Sequence, residues 1–248
     1  MPYIAPRLVN TCSACILGRG TLYAVNMTEK YMKEAKKKYG NYYVVKLDIK
    51  KYFYNIDKDI LYQILSSFIK DKKLLWLTKI FIYDNDSDKG IPIGNYTSQY
   101  YANIYLSLLD KYVKENLRIK YYVRYMDDIV ILVKNKQESK ILLNKINLFL
   151  HDRLKLELNK KSRYYPNSLG VNFCGYIIYE THRLIRKSSK KKIKWKVRLW
   201  SKLKKNGTLN IKKVIISFNS WSSHVSHANS YNFRTLINKE IVELMKKA

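Results

Sequence analysis

The chain has 248 residues, with 48 Lys and Arg against 19 Asp and Glu, a formal charge of +29, and 47% hydrophobic and 14% aromatic residues. That much apolar and aromatic material excludes disorder as the main state, and the length suits one large domain or two small ones. No apolar run approaches the roughly 20 residues that span a bilayer, residues 1–10 lack a secretory h-region, and three cysteines cannot build a disulfide framework, so a reducing, cytoplasmic setting with no membrane attachment is expected.

Residues 22–39 read as a helix with a basic end. The β-branched and aromatic run 42–49 (YYVVKLDI) reads as a strand. Residues 57–69 read as a helix, with Asp57 as its N-cap and Ile60, Leu61, Ile64 and Leu65 at helical spacing. After the turn at Gly94, residues 97–116 read as one long helix. Residues 121–125 and 129–133 are two apolar strands about an acidic turn, Lys136–Leu154 is an amphipathic helix, and 173–179 is a further strand. Lys187–Lys205 and 210–218 read as basic helices and 232–247 as a last helix. Strands interleaved with helices, then helices alone, predict an α+β domain followed by a helical one. The charge places the boundary near residue 180, because residues 181–248 hold 18 basic and 2 acidic side chains while residues 1–180 hold 30 and 17. No Pro/Gly-rich linker lies there, and 1–180 and 181–248 are expected to pack together.

Such a charge calls for a polyanion. Nucleic acid is the first candidate, because Lys and Arg release the counterions condensed on phosphates, and an anionic membrane surface is the second. The plain alternative is a compositional bias towards Lys, in keeping with 23 tyrosines.

The chemistry concentrates at Tyr125-Met126-Asp127-Asp128, between the two apolar strands. Adjacent carboxylates repel, and Asp-Asp is not the pair that a type I′ turn favours, so a cation would remove a penalty; a solvated hydrophilic turn is the alternative. Mg2+ suits carboxylate oxygens and keeps positions open for phosphates. Asp48, at the end of the strand 42–49, is a second acidic position. If Asp48 lies beside the hairpin tip, Asp48 and Asp127 can bridge two divalent ions about 3.5–4 Å apart, the arrangement of two-metal phosphoryl transfer.

These residues carry a resemblance. Lys46-Leu47-Asp48-Ile49-Lys50-Lys51-Tyr52-Phe53 is similar to the first catalytic motif of reverse transcriptases, and the YMDD run is similar to their hallmark box. Leu158-Asn159-Lys160-Lys161-Ser162, then Val171-Asn172-Phe173-Cys174-Gly175-Tyr176, resemble the motif after the box and the primer grip. Ile93-Gly94-Asn95-Tyr96-Thr97-Ser98-Gln99 departs from the usual Gln-Gly…Ser-Pro pattern and looks like the variant of diversity-generating retroelements, as do Gly18-Arg19-Gly20-Thr21, Tyr179-Glu180-Thr181-His182-Arg183-Leu184 and His227-Ala228-Asn229-Ser230-Tyr231.

The resemblance implies a right-hand polymerase fold, with partial or truncated fingers and an α+β palm with an antiparallel sheet over 1–180, and a helical thumb over 181–248. It implies an RNA-directed DNA polymerase that copies a template RNA with errors at adenines. Asp48, Asp127 and Asp128 are then the catalytic, metal-binding carboxylates for two Mg2+ ions, with Mn2+ as a substitute. Phe53, Ile93, Gly94, Ser98, Gln99 and Lys161 are expected at the nucleotide: Phe53 as the ring that excludes a ribose 2′-hydroxyl, Ile93 as a packing residue where a Gln would hydrogen-bond, and Lys161, or Lys160 beside it, as proton donor to pyrophosphate or as phosphate ligand. Arg19, Phe173, Cys174, Gly175, Lys191 and Lys194 are expected at primer and template. On residue type alone, Phe53 and Ile93 read as core residues and Arg19 as a surface residue. The implied partners are an RNA template, a DNA or RNA primer, dNTPs and a basic oligomeric accessory protein. A retron-type or phage-defence reverse transcriptase is the second reading, and a non-catalytic nucleic-acid-binding remnant the third.

Ahead of Arg19 only Arg7 is basic. A minimal version or a fragment is expected, with no N-terminal triphosphate ligand assigned. Lys190, Lys191, Lys192, Lys194, Lys196 and Arg198, interleaved with Trp195 and Trp200, suit a helix whose aromatic face packs on the palm and whose lysines face a duplex. Cys12/Cys15 and His224/His227 have metal-ligand spacing, but the pairs lie some two hundred residues apart and an inert role is expected.

Overall fold

The computed structural model describes residues 8–84 and 87–246; Arg7 and residue 247 of the predicted last helix lie outside the described residues. The chain packs as two compact units, one through Leu169 and one from Gly170 onward.

The first unit is built on a four-stranded antiparallel sheet of β1 (Tyr43–Asp48), β2 (Tyr122–Tyr125), β3 (Asp128–Val133) and β4 (Arg163–Pro166), in the order β2-β3-β1-β4. β1 is central, and Val44, Val45 and Leu47 are buried on both of its faces, which explains its near-continuous apolar run. Helix α1 (Thr21–Tyr39) packs on β2 and β3 through Ala24, Val25, Thr28, Met32 and Ala35, one helical stripe. Helix α7 (Lys136–Leu154) packs on β1 and β4 through Leu142, Ile146, Leu150 and Leu154. Its N-cap Asn135 accepts from the Glu138 amide while Glu138 accepts from the Lys134 amide, which fixes where the helix starts.

Between β1 and β2 lie α2 (Tyr52–Asn55), α3 (Lys58–Ser66), α4 (Lys72–Ile82), α5 (Tyr96–Tyr105) and α6 (Ser107–Lys111). Asp57 caps α3 by accepting from the Ile60 amide, as its sequence position predicts, although α3 stops at Ser66. The expected single helix 97–116 is broken. It flattens at Leu106, the Ser107 hydroxyl donates back to the Ile104 carbonyl, and Tyr112–Asn116 form a π-helical turn. The expected acidic turn also shifts, because Tyr125 pairs with Asp128. The two loop residues are therefore Met126 and Asp127, and Asp128 belongs to β3.

The second unit holds a three-stranded antiparallel sheet, β5 (Val171–Phe173), β6 (Tyr176–Ile178) and β7 (Arg183–Ile185), followed by α8 (Lys187–Lys205), α9 (Ile211–Ser226) and α10 (Tyr231–Lys246). The run expected as one strand over 173–179 is two strands, because Cys174 and Gly175 both take positive φ (45° and 94°) and turn the chain. Helix α9 outruns the expected end at Phe218, since Val214, Phe218, Trp221 and Val225 continue one stripe through polar neighbours. The expected aromatic face of α8 does not form: Trp200 is buried with Ile193 and Val197 in the unit's own core, while Trp195 lies on another side of the helix, 60% exposed. Among the described residues no helix is long and apolar enough to cross a membrane.

Candidate active site

The ladder between β1 and β3 runs in register to its last pair, Asp48 opposite Asp128. Directly paired residues of antiparallel strands have Cα atoms about 4.5–5.5 Å apart and side chains on one face. Two carboxylates eighty residues apart in sequence are thus neighbours because a single register carries both strands to the same end. Lys46, two residues before Asp48 on the same face, forms an ion pair with Asp128.

Asp127, in the loop beside them, is a half-buried acid. Burial pushes its carboxyl up from the ordinary Asp value; its own amide hydrogen bond pulls it down, the Asp48 charge pushes it up, and Lys46 and Arg124 pull it down. Among the described residues, no three His, Cys, Asp or Glu side chains already stand gathered as ion ligands. The donor set nevertheless fits a hard divalent cation. It consists of carboxylate oxygens, two of them on directly paired residues, and the third acid is penalised for its charge by burial and by its neighbour.

Asp48 is fixed by a turn that sequence reasoning valued only for its lysines. The Ser162 hydroxyl accepts from the Asp48 amide (3.0 Å) and donates to the Asp48 carbonyl (3.1 Å), and the Asn159 amide donates to the same carbonyl (2.8 Å). Asn159 also accepts from the Lys161 amide through its side chain (3.1 Å), so the turn that carries exposed Lys161 is stapled to the acid.

Phe53 sits on α2, five residues past Asp48, partly buried, with its ring edge-on to Tyr52. Ile93 is 61% exposed and is not the core residue that its type suggests. Gly94 follows at φ 102°, where a side chain would strain the backbone, and α5 begins at Tyr96. On α5, Ser98 is buried, and exposed Gln99 accepts from the Cys15 thiol. Arg19 turns inward: its guanidinium donates to the Val9, Asn10 and Cys12 carbonyls and stacks near Tyr23, so its first task is to fold the segment 9–12.

In the second unit, Phe173 is buried and Cys174-Gly175 form the hairpin loop. A Cβ on Gly175 would meet the His224 ring at 2.8 Å. Tyr176 holds that histidine, its hydroxyl donating to the His224 carbonyl (2.6 Å) and lying 3.1 Å from Nδ1. Burial first, then His227 and Arg186, lower the His224 pKa and favour the neutral ring. Lys191 and Lys194 are exposed on α8. Of the suggested zinc ligands, Cys12 is buried against Asn103 and His224 is engaged by Tyr176.

Sequence reasoning missed the groups behind the hairpin: Arg124 on β2, Asp110 on α6 and Asn103 on α5, all fully buried and joined by hydrogen bonds. The signal was available, since a charged residue inside an otherwise apolar strand or helix requires a buried partner.

The model of the family described as reverse transcriptase (RNA-dependent DNA polymerase) matches residues 6–178. The chain is 26% identical to the COX1/OXI3 intron 2 protein of Saccharomyces cerevisiae, over 67% of this chain and 27% of that protein. Among solved structures it resembles apo telomerase from Candida tropicalis truncated from its C-terminal domain (TM-score 0.55, 16% identity, 67% of this chain and 40% of that one). It also resembles telomerase from Candida albicans in complex with a fragment of telomeric RNA (TM-score 0.56, 11% identity, 94% and 48%). At these identities the structural likeness concerns the fold, and the chain spans about a quarter to a half of the length of these relatives. The matched region contains β1, the YMDD hairpin and the turn that braces Asp48, and it covers well over half of the sequence: the chain belongs to the reverse transcriptase family.

Proposed function

We propose that this protein is an RNA-directed DNA polymerase that extends a DNA or RNA primer along an RNA template with dNTPs, within a right-hand arrangement of palm (1–180) and basic thumb (181–248). The observation that carries the reading is the register that sets Asp48 opposite Asp128 at the hairpin tip, with Asp127 in the adjoining loop. Asp48, Asp127 and Asp128 hold two divalent cations, Mg2+ by the hardness of the ligand set. Bound there, the ions supply Lewis-acid stabilisation to the attacking 3′-hydroxyl oxygen and to the departing pyrophosphate. The protein's own groups do the rest. Phe53 closes the sugar side against a 2′-hydroxyl, and Gly94, Ser98 and Gln99 border the nucleotide. Lys161, on the turn stapled to Asp48, donates a proton or holds phosphate. Phe173, Cys174 and Gly175 seat the primer end, and Lys191 and Lys194 meet the duplex backbone without reading sequence. Primer extension on an RNA template with Mg2+ tests this: Asp127→Asn lowers extension at least about a hundredfold and leaves template binding in place. Binding by the unaltered protein with no extension under any divalent ion favours a non-catalytic nucleic-acid-binding protein instead.

Within this activity we infer the diversifying type, error-prone at adenines, with a structured template RNA and a basic oligomeric accessory protein as partners. The support is Ile93, a large apolar side chain 61% exposed beside the Gly94 bend, which can pack on a nucleotide but cannot hydrogen-bond to it. Ile93→Gln should lower misincorporation opposite adenine; an unchanged error spectrum leaves the retron-type or defence reading in its place.

A further inference from the structure

Arg124 lies on β2 three residues before Asp127 and is fully buried. All five of its N–H groups are spent. Nε and Nη2 grip Asp110 as a fork, at 2.7 and 2.6 Å. Nη1 donates to the Asn103 side chain (3.0 Å) and to the Met126 carbonyl (3.1 Å), and Nη2 also donates to the Asn103 carbonyl (3.3 Å). The Tyr122 hydroxyl donates to Asp110 (2.5 Å). Asp110 is also fully buried; burial by itself would lower the Arg124 pKa, and the charge and hydrogen bonds of Asp110 together with Cys12 and Tyr122 turn the balance upward.

A buried ion pair is weak as a source of stability, because well-packed apolar residues of similar volume do as well or better. Its geometry is better suited to holding something in place. The Met126 carbonyl and the Asp127 amide belong to one rigid peptide plane. Arg124 fixes the carbonyl side of that plane, and through its rigidity sets how the Asp127 backbone leaves the other side. Met126 takes φ 54°, a conformation its side chain disfavours, so the loop needs an external constraint to stay in it. The same arginine is tied through Asn103 to α5, and its backbone is bridged to Thr11 and Ser13.

We propose that Arg124, gripped by Asp110, is a positioning residue that orients the Met126–Asp127 peptide and thereby aims the Asp127 carboxylate at the divalent cation. This rests on the polymerase reading. It predicts that the turn keeps its conformation through a charge it never shows to substrate.

The test replaces the buried polar set with apolar residues, Arg124→Met, Asp110→Leu and Tyr122→Phe together, in the full chain. Folding is followed by circular dichroism, Mn2+ binding by the free-ion EPR signal, and extension by kcat and the dNTP KM. Expected are a folded protein, Mn2+ binding weaker by about tenfold and kcat lower by about tenfold, the lower end for groups supporting a metal ligand, with KM within about twofold. A folded variant with unaltered Mn2+ affinity and kcat overturns the proposal. If the triple variant does not fold, Tyr122→Phe alone decides, because it removes one hydrogen bond and leaves both charges paired: weaker Mn2+ binding supports the clamp, and unchanged binding overturns it. Asp127→Asn, assayed alongside, separates the two ideas. Extension by the unaltered protein that this variant loses upholds the polymerase reading whatever the clamp does; no extension by the unaltered protein ends that reading, while Mn2+ binding still decides the clamp.

Discussion

Among the described residues two hairpins have two-residue loops, and they are built in opposite ways. Between β5 and β6, Cys174 and Gly175 both take positive φ, and the second is the glycine that such loops favour. That loop suits its own sequence, and the His224 ring has closed on the space left by the missing Cβ. Between β2 and β3, Met126 rather than Asp127 takes positive φ, where a glycine would be easier, and the loop is held from outside by Arg124. Local turn chemistry is enough where the chain must only reverse and let another group come close. At the hairpin that carries Asp127, the geometry is held by a buried network that the local sequence does not favour.

The contrast can be broken most sharply at the acid itself. Asp127→Asn keeps size and the loop but removes the charge, and Mg2+-dependent extension should fall at least about a hundredfold, the scale of losing one preorganised charge-stabilising group. A steady-state assay with template-primer held in excess measures it. Next comes Gly175→Ala. The methyl group meets His224 at 2.8 Å and the backbone sits at φ 94°, so stability should drop by about 1–3 kcal/mol, read as a lower denaturation midpoint. A midpoint like that of the unaltered protein would show that the second loop is not sequence-determined after all.

A smaller effect of opposite sign is expected at the other loop. Met126→Gly should raise stability by about 0.5 kcal/mol, the relief of positive φ less the entropy cost of glycine, and should leave extension no faster, because Arg124 already holds the productive conformation. The smallest effect is a pH dependence. Burial and the Asp48 charge raise the Asp127 pKa, so its charged form costs the native state stability that is fully kept below the unfolded value of about 3.9 and lost as pH rises through the higher folded value. Metal-free Asp127→Asn should therefore melt about 2 °C higher than the unaltered protein near pH 7, and the gap should close towards pH 4. A constant gap would mean that packing, not charge, separates the two.

Much of this protein was legible in its sequence because the signals are local. The apolar run 42–49 announced a strand, Asp57 its cap, and Lys136–Leu154 and Lys187–Lys205 their helices, since period and end-residue chemistry act over a few residues. The motif order pointed to the family that the match over residues 6–178 shows, and it named Asp48, Asp127 and Asp128 as candidate acids. What the sequence left open are features settled between distant segments. Whether 97–116 runs straight, whether Ile93 is buried, which residues form the acidic turn, and which side of α8 carries its tryptophans all depend on what packs against them. Arg124, Asp110 and Asn103 stand out only once the fold encloses them, because a charge in an apolar segment reveals that a partner is needed but not which one. The sequence by itself determined β1, α1, α7 and α8, the Asp57 cap and where in the chain the acids stand. The tertiary structure decided their alignment, because register and buried ion pairing are set by groups tens of residues away, whose positions no local rule contains.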